Sequence, residues 1–239
     1  LFRRTLADAA GTDLARVAVQ TVHQHTAPVV DGDAKKLLES VENPPPQVTT
    51  KAIEEITARL AAAVKEAVAR LEPFDQVGVG EAKVDRVASS RRPKGEDGKI
   101  KPRMSTCRDA AVRALPEGLI DPFLKTVTLA RGGKPLARLH YYATHPQTPY
   151  GDGRASSDVP GRAREGREKK EGVFQVYFTG CGGDITMGKY NDGSREAREG
   201  LTDRLHAGME AAAAATRFVP VERLGWRTTT LVLTPRTDR

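Results

Sequence analysis

Residues 136–193 carry the reading that decides the fold: LARLHYYATHPQT (136–148), GRASSDVPGRAREG (153–166) and GVFQVYFTGCGGDITMGKYNDG (172–193). Two apolar runs of strand type each end in a polar motif, Thr144-His145-Pro146 after the first and Gly180-Cys181-Gly182-Gly183-Asp184 after the second. A helix-patterned segment separates them. This alternation predicts an α/β protein with a mixed central sheet flanked by helices. His145 follows the last apolar residue of its run, and Pro146, with no N–H to donate, stops the ladder there. A polar side chain so placed faces a crevice, and open α/β sheets hold ligands in crevices at their strand ends.

Working outward, Gly193 and Ser194 open a further helix with Ala197, Leu201, Leu205 and Met209 at four-residue spacing, and His206 flanks that stripe as a surface residue. Arg223 to Leu233 reads as a final strand. On the other side, Phe123–Leu129 and Pro135–Thr144 pair as an antiparallel hairpin across Arg131-Gly132-Gly133-Lys134. Gln76–Val84 is a strand whose glycines allow close backbone approach. Its Gly78-Val79-Gly80 is no dinucleotide fingerprint, because the third glycine and the helix are both absent. Between these strands, Arg91–Arg108 is a Pro- and Gly-punctuated loop. It is either a solvated excursion or, with seven basic residues, a contact for an acidic or carbonyl-bearing ligand.

Nearer the start, Thr49 or Thr50 caps a helix with an apolar stripe of Ile53, Ile56, Leu60, Val64, Val68 and Leu71, closed by Pro73. Its role is packing. Asn43-Pro44-Pro45-Pro46 forces an extended connector, Asp33–Ser40 forms a short helix, and Leu1–Ala10 is the end of a helix before Gly11. Ala15–Thr21 alternates and is valine-rich, so it reads as a strand delivering His23-Gln24-His25-Thr26-Ala27-Pro28. If the strand persists, His23 and His25 share a face. By itself such a pair is more simply a surface turn, since two histidines do not complete a metal site.

The 239 residues suffice for one large domain or two small ones, and no apolar run approaches the ~20 residues of a membrane span. No secretory leader is visible, but Leu1 is not a methionine, which leaves the compartment open. Cys107 and Cys181 are too few for a disulfide framework. The formal charge of +7 invites a nucleic-acid reading, yet stacking aromatics are scarce and no such motif is present, so no nucleic-acid partner is expected.

Taken in order, four elements carry a resemblance: His23-x-His25-x-x-Pro28, the Ala143-x-His145-Pro146 element roughly 120 residues on, Ser156-x-Asp158-x-x-Gly161, and Gly183-Asp184-Ile185. The set resembles the catalytic domain of the neutral/alkaline non-lysosomal ceramidases, over about Ala15 to Thr216. The resemblance implies a zinc amidase cleaving N-acyl-sphingosines or related N-acyl substrates. His23 and His145 would be metal ligands, with His25 beside the metal and touching substrate. Ser90-Arg91-Arg92-Pro93 matches a family segment whose arginine contacts substrate near the scissile bond, pointing to Arg91, although Ser90 replaces the usual asparagine. Thr186 stands where the family commonly has serine, and Met187-Gly188 replaces a proline-asparagine pair. A threonine hydroxyl without an adjacent base is a poor nucleophile.

The family draws two more zinc ligands, a glutamate and a tyrosine, from later sequence. Residues 1–239 are therefore expected to form one partial catalytic domain, an interior piece that binds zinc weakly and hydrolyses little alone. A secreted, periplasmic or cell-surface location with peripheral membrane contact is also implied. On the residues themselves, Arg91 could polarise an amide carbonyl, while Asp158 and Asp184 could orient imidazole N–H groups or serve as turn and cap residues. Two rival readings are a cysteine hydrolase using Cys181 with a histidine and Asp184, and a ligand-binding relative without turnover.

Overall fold

The computed structural model describes residues 2–27, 31–45, 50–149, 153–234 and 237. Pro28 of the first histidine motif, Pro46 and the Thr49 cap lie outside them. In chain order the elements are α1 (Phe2–Ala10), a 3-10 turn (Leu14–Arg16), α2 (Gly32–Leu38), α3 (Thr50–Val68), β1 (Gln76–Lys83), β2 (Ser89–Ser90), α4 (Ala110–Ala114), β3 (Phe123–Arg131), β4 (Lys134–Tyr142), α5 (Asp158–Glu171), β5 (Phe174–Thr179), β6 (Ile185–Thr186), α6 (Arg195–Ala214) and β7 (Arg217–Pro220). They form two compact units.

The smaller unit comprises Leu1–Val19, Thr49–Glu72 and Glu222–Arg239. Here α1 lies against α3, and Ala7, Ile53 and Thr57 are buried. The expected stripe is only partly used, since Ile56, Leu60 and Val68 of α3 and Leu71 beyond its end are exposed. Helical period fixes which residues share a face but not what the face meets. Ala15 onward is not a strand. The segment begins as the 3-10 turn capped by Asp13, its carbonyls taken up by side chains rather than by a ladder: Arg3 donates to Leu14 and Val17, and Trp226 to Ala15. The final strand also falls elsewhere. Arg223–Leu233 has no regular structure, and Leu231, Val232 and Leu233 are exposed.

The larger unit, Gln20–Val48 and Pro73–Val221, holds a five-stranded mixed sheet in the order β5-β4-β3-β1-β7. β3 and β4 form the expected hairpin, with positive φ at both Gly132 (56°) and Gly133 (77°), as a two-residue type I′ turn requires. α5 carries the chain from β4 to β5, which pair in parallel as a crossover allows. β7 takes the edge beside β1 because it follows α6 directly and α6 lies on β1 and β3. α5 and α6 pack on each other, α5 also against β5. Leu201, Leu205 and Met209 of α6 are fully buried against Val84, Leu124, Tyr142 and Ala163, each contributing about 1.5 to 3 kcal/mol.

That contact depends on Gly80, where a Cβ would stand 2.2 Å from the Ala212 carbonyl oxygen. Polar groups also lie inside. His140 bridges Thr126 Oγ1 (2.8 Å) and Gln175 Oε1 (2.7 Å), and Glu171 accepts from both Arg138 and Arg167. His206 is half-buried rather than free on the surface, its ring close to Gly166 of α5.

Candidate metal centre

Beyond the C-terminal ends of β4 and β5 the chain turns sharply, and three histidines meet there. His145 is fixed by main chain: its N–H donates to the Ile185 carbonyl (2.8 Å), and its Nδ1 lies 2.9 Å from the Gly182 carbonyl oxygen. A carbonyl only accepts, so Nδ1 carries the proton and Nε2 is left with its lone pair. His23 and His25 arrive on an unpaired segment held by Thr179 Oγ1, which donates to the Val22 carbonyl (3.0 Å). On a strand the two would stand roughly 6 to 7 Å apart. His23 instead has φ of 59°, which breaks the extended path, and the His23 and His25 ring centroids are 5.0 Å apart. Both rings lie against His145, at 4.6 and 5.1 Å. One nitrogen from each lies within 4.8 Å of the others.

The state of His25 follows from Gln147, which sequence reasoning missed. Gln147 Oε1 accepts from Arg91 Nη2 (3.0 Å) and from Ser105 Oγ (2.6 Å). Guanidinium has no acceptor, so the amide cannot flip, and its nitrogen donates to His25 Nδ1 at 3.2 Å. His25 therefore keeps its proton on Nε2, which lies 3.1 Å from His145 Nε2. Burial, then the neighbouring charges of His23 and Arg91, push the His25 pKa down, against a smaller opposite effect of Asp158. Burial likewise lowers His145. Neutral imidazoles are what a metal needs.

The donor set suits zinc or a similar divalent ion. His145 Nε2 offers a lone pair, His23 stands beside it, and His25 turns an N–H toward the same space. The ligand nitrogens need to close only slightly to the roughly 3 to 4 Å that zinc bond lengths allow.

The remaining sequence candidates fall around this centre. Arg91 reaches it through Gln147. Asp158 does not touch an imidazole. Its buried carboxylate accepts from the Thr148 N–H (3.0 Å), the Thr148 hydroxyl and the Val159 N–H, at a residue with φ of 55°. Asp184 is occupied by Arg92 Nε (2.8 Å) and Ser90 Oγ (2.9 Å). The ring-orienting acceptor is the Gly182 carbonyl instead, which side-chain chemistry cannot announce. Thr186 is fully buried with its hydroxyl accepting from the Gly188 N–H (3.1 Å), a turn role. Cys107 is buried and Cys181 exposed, and both are free. Among the described residues no hydrogen bond joins Cys181 to a histidine, so its strand-end position alone does not activate it.

Cys181 lines a cavity of about 530 Å³ with Leu119, Phe123, Tyr141 and Ile185. The cavity adjoins the centre through the main chain, since Ile185 also holds His145. It is a largely apolar recess, with Asp121 and Lys125 also in its lining.

No family model and no curated protein matches the chain. Solved structures do: neutral ceramidase from Pseudomonas aeruginosa (TM-score 0.51, 16% identity) and a ceramidase complexed with C2 (TM-score 0.51, 14% identity). Each match covers 70% of this chain and 26% of the other, so the chain spans about a quarter of their length. The likeness extends to the fold. Among the described residues no helix is long and apolar enough to cross a membrane.

Proposed function

We propose that this chain carries the histidine centre of a metal-dependent hydrolase acting on a linear amide, ceramidase-like in fold and in its preference for an N-acyl lipid or related N-acyl substrate. The observation that carries the reading is the convergence of His23, His25 and His145 at the strand ends of a fold shared with ceramidases. His23 and His145 would hold the ion. Zinc, when bound, supplies Lewis-acid polarisation and activation of water near neutral pH.

The chain's own groups divide the rest of the work. His25 holds a proton on Nε2, 3.1 Å from His145 Nε2, and once the His145 lone pair is taken up by an ion that N–H is released to donate to an oxygen of the substrate. Arg91 fixes the amide that fixes His25, and its positive charge adds to burial in lowering the pKa of His25 and of His145. The apolar cavity at Cys181 receives the acyl chain and keeps water from that side. A lipid substrate fits peripheral membrane contact from a location outside the cytoplasm.

The test is zinc content and turnover of the full-length protein on a panel of N-acyl amides. His145→Ala is expected to lose zinc and activity together, whereas Thr186→Ala keeps substantial turnover, losing one turn hydrogen bond worth about 1 kcal/mol. A Thr186→Ala protein that keeps zinc and is inactive would return a covalent route. A wild-type protein that binds zinc but turns over no amide would be a binding relative.

A further inference from the structure

A second cavity, of about 490 Å³, lies on the other side of Thr148 and Ser156. Its charged lining is Arg154, Arg162, Arg195, Arg198, Asp158 and Glu199. Four arginines face two carboxylates, so the lining keeps a net positive charge, with Glu199 acting at longer range on Arg162 and Arg198 and Asp158 on Arg198. Asp158 is 1% exposed and spends its oxygens on Thr148 and Val159, and Glu199 takes Arg195 Nε at 2.7 Å. No hydrogen bond or ion pair among the described residues engages the guanidinium of Arg162 or Arg198. Arg162 is on the first turns of α5 and Arg195 and Arg198 on those of α6, so the positive ends of two long helices add to the field.

The cavity shares its wall with the histidine centre. Thr148 follows Gln147, which holds His25, and the Ser156 carbonyl accepts from Gln24 (3.2 Å) and Thr26 (3.3 Å) on either side of His25. We infer that this cavity is an oxyanion site for a phosphate-type dianion on the substrate's head group, held by Arg162 and Arg198 in the bidentate manner of guanidinium. The position beside the centre, rather than far from it, makes the anion part of the same substrate. Lysine could supply the charge but not the fork, and paired forks suit a tetrahedral dianion.

The head-group part rests on the amidase reading, so the test separates the two. Inorganic phosphate is titrated into the full chain by calorimetry, with no turnover involved. Saturable one-to-one binding is expected, weakened about tenfold or more in Arg162→Gln/Arg198→Gln with zinc content unchanged. Arg162→Lys/Arg198→Lys, which keeps the charge, should fall between, guarding against a loss that comes only from misfolding. No saturation below about 10 mM, or equal binding in the Gln pair, overturns the site. In the second arm an N-acyl-ethanolamine phosphate is compared with the neutral N-acyl-ethanolamine. Preference for the phosphate, lost in the Gln pair, supports the head-group role, and preference for the neutral amide despite phosphate binding overturns it. If neither is cleaved while phosphate binds, the anion site stands and the amidase reading falls.

Discussion

Gln147 determines the protonation of His25: its amide nitrogen stands 3.2 Å from His25 Nδ1 because its oxygen is held by Arg91. The pair explains why His25 is suited to proton donation, whereas the Gly182 carbonyl leaves His145 Nε2 suited to ligation.

Gln147→Glu should reverse that division. A carboxylate accepts from Nδ1–H, so the His25 proton moves to Nδ1, visible in ring ¹⁵N shifts of the metal-free protein. Nε2 then joins His23 and His145 as a ligand, and zinc should bind about tenfold or more tighter while amide turnover falls. Zinc binding that weakens, with the proton still on Nε2, would show that Gln147 does not set the tautomer.

His140 predicts an acid-sensitive stability. Burial first, and then Arg138 and Arg167, lower its pKa from 6.5 to about 4, with the Gln175 hydrogen bond opposing. The unfolded chain binds this proton below pH 6.5 and the folded chain only near 4, so stability is intact above about pH 7 and falls as the pH drops through that window. The full contribution is roughly 3 kcal/mol. Urea midpoints across pH 4 to 7 should slope less in His140→Asn than in the parent, and equal slopes would refute the assignment.

Gly80→Ala should destabilise by about 2 to 3 kcal/mol, because the new methyl meets backbone, the Ala212 carbonyl at 2.2 Å and the Thr216 nitrogen at 2.8 Å. Gly183→Ala, with nothing within 4 Å, is the matched control and should be near neutral in thermal unfolding. Equal losses in the two would mean that the α6–β1 contact yields easily.

Much of the sheet was legible because its signals are local. The Gly132-Gly133 turn fixes the hairpin, and Leu201, Leu205 and Met209 mark the buried face of α6 at helical period. The misreadings share a cause. The alternation in Ala15–Thr21 and the apolar run in Arg223–Leu233 describe what a strand would look like, but a strand also needs a neighbour, and pairing partners are not written in the segment itself. The histidines could be named from their motifs, while the Gln147 link could not. Its partners are 56 and 122 positions away, and a glutamine after His-Pro has no periodic signature.

The grip on His145 through the Gly182 and Ile185 carbonyls makes the centre modular. Main-chain oxygens are indifferent to side-chain identity, so the loop need only keep its path. Gly182 is constrained by the Thr144 backbone, 3.1 Å from where a Cβ would be, but Gly183 is open and Cys181 exposed. Cys181, which lines the apolar cavity, can be rewritten to reshape it while the imidazole stays aimed, which separates the evolution of specificity from that of the reactive centre.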